Sequence, residues 1–255
     1  MRDEICRFGL IVTGRGEEAF LPRLFRSLMK RAACVFEVIC RVSQRSPIVS
    51  PERIIGMVRT GQRLPRIDEE EIGIPVLGFL RRHPGSYAMV VDDLEGDRRS
   101  IAGDVFKRYR TALDEVLGPS GMSSRAAVHF LVNMLEAYYY ADSQAVNDVA
   151  SRAVLRGDHP TDVEEIRHPK NSLKKAWPEY KEMDHGEKIL RRLRVEHVLS
   201  RPDVCCWLRS MFAWCVWKLS EANAVHDETI IDDLCLRNGC QSPTTSAQHS
   251  RWPGR

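Results

Sequence analysis

The chain opens with two strand-like segments separated by a helix-like one, and this order constrains the fold more than any other feature. Residues 7–14, RFGLIVTG, predict a buried strand that ends at a glycine, and residues 34–42, CVFEVICRV, predict a second strand. Between them, apolar residues recur at helical spacing: Phe20, Leu21, Leu24, Phe25 and Leu28. Because parallel strands need a long crossover, usually a helix, a strand–helix–strand unit predicts a parallel sheet flanked by helices.

The alternation of strands and helices continues through the first half of the chain. Residues 86–93, SYAMVVDD, predict a third strand, and residues 126–133, AAVHFLVN, predict a fourth. Residues 100–118 between them predict a helix, with Ser100 as a candidate N-cap. Together these segments predict an α/β domain over residues 1–154, built on a mainly parallel sheet.

The character of the sequence changes near residue 155. Residues 155–222 are first polar and basic and then strongly apolar at helical spacing, which predicts a helical C-terminal portion packed on the α/β domain. Residues 223–255 end in a stretch rich in Ser, Thr and Pro and are expected to form a mostly disordered tail. Residues 43–67 are rich in proline and arginine and predict an exposed excursion with little regular structure.

Composition narrows the classes of protein that fit. A net charge of +3 on 255 residues is too small for strong global attraction to nucleic acid, although a local basic face stays open. No apolar stretch approaches the ~20 residues that cross a bilayer, and no signal peptide is predicted. The eight cysteines form no C-x-x-C pair. We therefore expect reduced, structural cysteines in a cytoplasmic protein.

Carboxylates follow three of the four predicted strands, at the edge where a parallel sheet binds ligands. Glu17 follows the first strand and Glu136 the fourth, while Asp92 and Asp93 end the third. Such groups, if they converge, suit a hard cation such as Mg²⁺ or Mn²⁺. Simpler interpretations stay open: DDLEGD as a solvated turn, Glu17 as a first-turn residue that favours the helix dipole, and Glu136 as the partner of an arginine.

A basic segment later in the chain predicts contact with phosphate. Lys170 and Lys174 flank the helix start in RHPKNSL, where backbone N–H groups and ammonium groups together make an anion site. A solvated helix face is the simpler interpretation of these lysines. Three tryptophans with apolar neighbours at helical spacing predict core or interface packing: Trp207, Trp214 and Trp217.

Four stretches occur in an order that resembles a known family: VTGRGEEAF, VVDDLEGD, HFLVNMLEAYYYAD and HPKNSLKKAWPEYKEMDHGEKI. Over roughly residues 7–219 they resemble a TOPRIM-like family of bacterial proteins known only as a domain of unknown function, the 4276 family. TOPRIM is the metal-binding fold of topoisomerases, primases and related nucleases. The resemblance implies a TOPRIM-like fold, Mg²⁺ or Mn²⁺ on Glu17, Asp92 and Asp93, and a catalytic set that adds Glu136.

The resemblance also implies an activity. A metal-dependent nuclease would hydrolyse phosphodiesters in nucleic acid, DNA more readily than RNA, in defence against phage and alongside an ATPase partner. Arg15, Lys170 and Lys174 would contact the substrate. One departure opposes this activity: the family glutamate of the first motif falls on Thr13, which cannot act as a base near neutral pH. The alternative is a catalytically degenerate binding or regulatory subunit. A phosphotransferase is a third interpretation, although the sequence has no P-loop.

Overall fold

The computed structural model describes residues 5–45 and 66–248, without the side chains of residues 96 and 97. Most of the excursion expected over residues 43–67, and the last residues of the expected tail, lie outside this description. All four predicted strands and the helices between them lie within it.

Four strands form one sheet in which every pairing is parallel. They are β1 (Cys6–Val12), β2 (Cys34–Arg41), β3 (Tyr87–Leu94) and β4 (Ala126–Val132), in the order β2-β1-β3-β4. Helices cover both faces, so the inner strands β1 and β3 are buried along almost their whole length rather than on one face only. The predicted α/β fold with a parallel sheet is therefore confirmed.

The α-helices of the described chain are α1 (Arg15–Leu24), α2 (Arg26–Arg31), α3 (Ile74–Arg82), α4 (Ala102–Leu117), α5 (Leu135–Tyr139), α6 (Ser143–Ala150), α7 (Pro169–Ala176), α8 (Glu182–Leu190), α9 (Val195–Val198), α10 (Cys206–Glu221) and α11 (Ile230–Asp233). A 3-10 segment, Gly96–Ile101, precedes α4, so Ile101 rather than Ser100 stands at its N-cap. Within residues 5–45 and 66–248, no helix has the length and apolar character needed to cross a membrane.

The two faces of the sheet have separate cores. Leu10 and Val91 point to one face, which α1, α2 and α10 cover. Ile11 and Val90 point to the other face, which α3 and α4 cover. Successive residues of a strand point to opposite faces, so each strand contributes to both cores. This alternation also decides where the polar residues at the strand ends point.

The C-terminal segments share the first of these cores. Helices α8 and α10 contribute Ile189 and Met211 to the same cluster as Leu10 of β1. Residues 223–248 also pack there through α11 and Leu236, whereas the sequence predicted a mostly disordered tail. The buried aliphatic side chains of α11 and Leu236 precede the stretch rich in Ser, Thr and Pro on which the expectation of disorder rested.

One disulfide corrects the expectation that the cysteines are reduced. Cys206 at the start of α10 is bonded to Cys240, which lies 34 residues further along the chain. Six other cysteines are free thiols, and most of them are buried. The disulfide ties the C-terminal segment to the first turn of α10. The sequence offered no spacing pattern for this pair, because its partners are brought together only by tertiary packing.

The strand order creates a switch point between β1 and β3. The chain leaves β1 toward β2 on one side, and it leaves β3 toward β4 on the other side. In open parallel sheets, ligands bind in the crevice outside the carboxyl ends of the strands at such a point. The first turn of α1, the end of β3 and the turn after β4 all meet this edge.

Candidate metal centre

Three buried carboxylates from three elements meet at the switch point. Glu17 lies in the first turn of α1, Asp93 near the end of β3, and Glu136 in α5 just after β4. Their residues are only 6%, 5% and 3% exposed. Burial raises the pKa of both Asp93 and Glu17, and the charge of Glu17 raises that of Asp93 further, as the charge of Glu136 does for Glu17. Three of the predicted site residues are therefore brought together.

Asp92, the fourth predicted acid, points to the opposite face of the sheet. Both aspartates lie within β3, so the strand alternation separates them. Asp92 is fully buried, accepts hydrogen bonds from Thr13 Oγ1 at 2.9 Å and Tyr109 at 3.0 Å, and forms an ion pair with Arg98. These partners occupy both of its oxygens. Asp92 is thus a structural carboxylate and not a ligand facing the switch point.

Asp93 is held by the backbone and repelled by its neighbours. The backbone N–H of Met134 donates to its Oδ1 at 2.9 Å. Burial raises its pKa well above the ordinary range, and the charges of Glu17 and Glu95 raise it further. Glu95 also shares a side-chain hydrogen bond with Asp93. Glu95 itself is exposed and follows Leu94, the last residue of β3, so it lies on the turn where the sequence interpretation had placed it.

Glu17 folds back over the end of β1. A β-carbon at Gly14 would lie 1.7 Å from Glu17 Oε2, so only glycine allows this position of the carboxylate. Burial, together with the charges of Glu136 and Glu182, raises the pKa of Glu17 to about 7. Its own backbone N–H and Lys170 oppose this rise. A glycine is therefore required at position 14, because any side chain there would clash with the Glu17 carboxylate.

Glu136 and Glu182 complete the group. Burial and the charge of Glu182 raise the pKa of Glu136, although Tyr180 donates a hydrogen bond to its Oε1 at 3.1 Å. Glu182, in the first turn of α8, is ion-paired with Lys170. We call Glu17, Asp93, Glu95, Glu136 and Glu182 the acidic cluster. Lys170 is the cation that the structure pairs with it, so the described cluster carries more carboxylates than compensating charge.

A strained turn positions two parts of the cluster. Asn133 and Met134 both have positive φ, and Met134 (φ 72°, ψ 166°) occupies a region that is usual only for glycine. This turn aims the Met134 N–H at Asp93 and starts α5, which carries Glu136. Strain of this kind costs about 1–3 kcal/mol and persists where the surrounding structure enforces it. The strained turn therefore fixes the positions of Asp93 and Glu136 relative to each other.

The donor set of the acidic cluster fits a hard divalent cation. Carboxylate oxygens are the ligands that Mg²⁺ and Mn²⁺ prefer, and often one or two suffice beside water and phosphate. Burial raises the pKa values of all three carboxyl groups most, and the charges of neighbouring carboxylates raise them further, so the ionised forms are disfavoured when no cation is present. Glu17, Asp93 and Glu136 are therefore the residues that would hold the metal.

A second group of candidate ligands does not fit as well. Asp142, Asp158 and His197 have ligand atoms within 4.8 Å of one another. However, Asp142 accepts hydrogen bonds from the backbone and guanidinium of Arg194, and Asp158 accepts from Ser143 and is paired with His197. Protein donors already satisfy these carboxylates. These contacts connect α6, α9 and the loop around residue 158, which accounts for the three residues without a metal.

A cleft of about 620 Å³ adjoins the acidic cluster. Its lining includes Glu95, Met134 and Lys170, which belong to or contact the cluster, and the cations Arg99 and Arg167. We call it the cationic cleft. Its full lining is Glu95, Arg99, Asn133, Met134, Glu165, Arg167, His168, Pro169, Lys170 and Asn171.

The predicted substrate-binding residues take different positions. Lys170 lines the cationic cleft. Lys174 is exposed one turn further along α7, and Arg15 is exposed at the start of α1, and neither lines the cleft. Sequence reasoning missed Glu182 and Arg167. Glu182 lies within the last of the four quoted stretches, but only the packing of α8 brings it to the cluster.

The fold and cluster define a class: an α/β protein with a buried acidic site at the switch point of a parallel sheet. The chain belongs to the family described as Domain of unknown function (DUF4276), whose model matches residues 12–212. This match spans all five members of the acidic cluster. No curated protein and no solved structure matches the chain.

Proposed function

We propose that the protein is a Mg²⁺- or Mn²⁺-dependent phosphodiester hydrolase that acts on nucleic acid and is related to TOPRIM nucleases. The convergence of buried Glu17, Asp93 and Glu136, each with a raised pKa, carries the proposal. Keeping three such carboxylates together costs stability, and a bound divalent cation offsets that cost. The relation to TOPRIM proteins is supported by the order of a glutamate turn, an acidic strand end and a further glutamate.

Each residue of the site has a distinct part in this chemistry. When bound, the metal supplies a water of lowered pKa and stabilises charge that develops on the phosphate. Asp93 is oriented by the Met134 N–H, and Glu136 by the hydroxyl of Tyr180. Lys170 lies between the cluster and the cationic cleft, where its ammonium group can donate to a phosphate oxygen.

The cationic cleft supports a nucleic acid as the substrate. Phosphate oxygens are the groups that clustered arginine and lysine side chains bind, independent of sequence. We extend the proposal to DNA, to defence against phage and to an ATPase partner on the resemblance alone. Such a role would place the protein in the cytoplasm, where the six free thiols fit and the disulfide does not.

One observation favours a second candidate, a catalytically degenerate binding or regulatory subunit. Thr13 stands at the position of the family glutamate, and it bonds to Asp92 and to the Asp93 backbone N–H. Arg98 fills the space beside Asp92 with a permanent positive charge. In this alternative the acidic cluster binds a metal or a partner without hydrolysis.

A cleavage assay tests the leading proposal. Purified protein is incubated with single- and double-stranded DNA and RNA in Mg²⁺ and in Mn²⁺, beside Asp93→Asn and the control Glu18→Gln. Glu18 neighbours Glu17 but is exposed and paired with Arg41. We expect metal-dependent cleavage by wild type and Glu18→Gln and none by Asp93→Asn. Absence of cleavage by wild type, or equal cleavage by Asp93→Asn, would reject the hydrolase.

A further inference from the structure

One guanidinium in the cationic cleft differs from the other cations there in its contacts with the described residues. Arg99 is ion-paired with Glu165 and also donates to the backbone carbonyl of Glu164 at 3.1 Å. Lys170 is ion-paired with Glu182. The guanidinium of Arg167, in contrast, has no hydrogen bond or ion pair with any residue of the ranges 5–45 and 66–248. The lining therefore offers a free, planar donor for an anionic ligand.

The chain beside Arg167 is fixed in shape. His168 has a positive φ of 51° and precedes the eight-residue helix α7. Its carbonyl accepts the N–H groups of Asn171 and Ser172 at 3.0 and 3.1 Å, which locks the turn. Arg167, His168 and Asn171 consequently line the same cleft from a rigid support. A preorganised support reduces the entropy lost when a ligand binds.

The volume and the charge of the cleft restrict the ligand. A volume of about 620 Å³ lies within the range of sites that take small or extended ligands, roughly 300–1,000 Å³. Among the cleft's charged side chains, Arg99, Arg167 and Lys170 outnumber Glu95 and Glu165. A guanidinium binds phosphate oxygens in a bidentate manner, which matches a phosphodiester or a phosphate monoester better than a spherical anion.

We infer that Arg167 and His168 bind a second phosphate group of the substrate strand, next to the one that lies at the acidic cluster. The inference rests on the proposed function for the identity of the ligand as a nucleic acid strand. The inference adds a second binding site and fixes how the strand lies: one phosphate is beside Lys170, and the next phosphate along the strand is beside Arg167. The site acts without metal, since no carboxylate of the acidic cluster supplies its contacts.

Short oligonucleotides in metal-free buffer test this inference. Binding of TpT, which has one internal phosphate, is compared with pTpT and TpTp, which add a terminal phosphate at either end. Calorimetry is performed in EDTA on wild type, Arg167→Gln and Arg82→Gln. Arg82 is a matched control, because it is exposed, lies at the end of α3, and has no partner in the described chain.

We expect one of the two phosphorylated probes to bind wild type and Arg82→Gln at least about tenfold more tightly than TpT. Arg167→Gln should lose this gain. The inference is overturned if neither terminal phosphate improves binding, if the gain persists in Arg167→Gln, or if Arg82→Gln also loses it. A gain that needs Arg167 in a protein that cleaves nothing would reject the hydrolase but keep this site. Cleavage by a protein that shows no such gain would reject this site but keep the hydrolase.

Discussion

Replacement of Glu17 by glutamine should stabilise the metal-free protein at high pH and leave it unchanged at low pH. The pKa of Glu17 is raised from its ordinary value of 4.5 to about 7 by burial and by the charges of Glu136 and Glu182. A raised carboxyl pKa means that the folded state prefers the protonated form. The folded protein therefore loses stability as the pH rises from 4.5 to 7, where Glu17 ionises.

The size of this effect follows from the two pKa values. Their difference corresponds to roughly 3 kcal/mol of destabilisation by the ionised carboxylate, and it is complete only above pH 7. Glutamine keeps the shape of the side chain and stays neutral at every pH. Glu17→Gln should thus match wild type near pH 4.5 and exceed it by about 3 kcal/mol near pH 9.

Urea unfolding in EDTA at a series of pH values measures this difference directly. Glu18→Gln serves as the control, because that exposed carboxylate forms only a surface ion pair with Arg41, which contributes at most about 1 kcal/mol. A difference between wild type and Glu17→Gln that does not change with pH would refute the reasoning. So would an equal pH-dependent gain in Glu18→Gln.

Two further predictions concern the strand ends. Asp92→Asn should lower the free energy of unfolding by about 3 kcal/mol, because it leaves the half-buried Arg98 guanidinium without its carboxylate partner, yet it should preserve Mn²⁺ affinity. Urea unfolding and Mn²⁺ titration check this, and a loss of affinity in a folded variant would contradict it. Met134→Gly should be more stable than Met134→Ala by about 1 kcal/mol or more, because only glycine relieves the positive φ. Thermal unfolding of both variants compares them, and a more stable alanine variant would show that the turn is not strained.

The sheet could be predicted from the sequence because each strand is locally encoded. The runs RFGLIVTG and AAVHFLVN are apolar over most of their length and are bounded by turn residues, which predicts strands buried on both faces. The helices that follow the first and third strands have clear apolar periodicity, whereas the one before the third strand is weakly encoded and interrupted by Pro75. The parallel arrangement then follows from the crossover connections.

The site was only partly predictable. Adjacent Asp92 and Asp93 were both expected at the metal, but two residues next to each other in a strand cannot face one site. The predicted strand over residues 86–93 already contained both aspartates, so this rule could have been applied to the sequence.

Other parts of the site depend on tertiary packing. Glu182 reaches the cluster because α8 packs against α1, where a β-carbon at Gly16 would lie 2.4 Å from Glu182 Oε1. Nothing local in the sequence distinguishes Glu182 from other first-turn glutamates. The Cys206–Cys240 disulfide is equally non-local. Such contacts follow only from the assembled fold.

The central claim is that the acidic cluster binds a divalent cation, and Mn²⁺ titration followed by electron paramagnetic resonance tests it most directly. The variants are Asp93→Asn, which removes a cluster carboxylate, and Asp158→Asn, which removes one from the second group of candidate ligands. We predict that wild type and Asp158→Asn bind Mn²⁺ with equal affinity and that Asp93→Asn binds at least about tenfold more weakly. Undiminished binding by Asp93→Asn, or a loss confined to Asp158→Asn, would contradict the account.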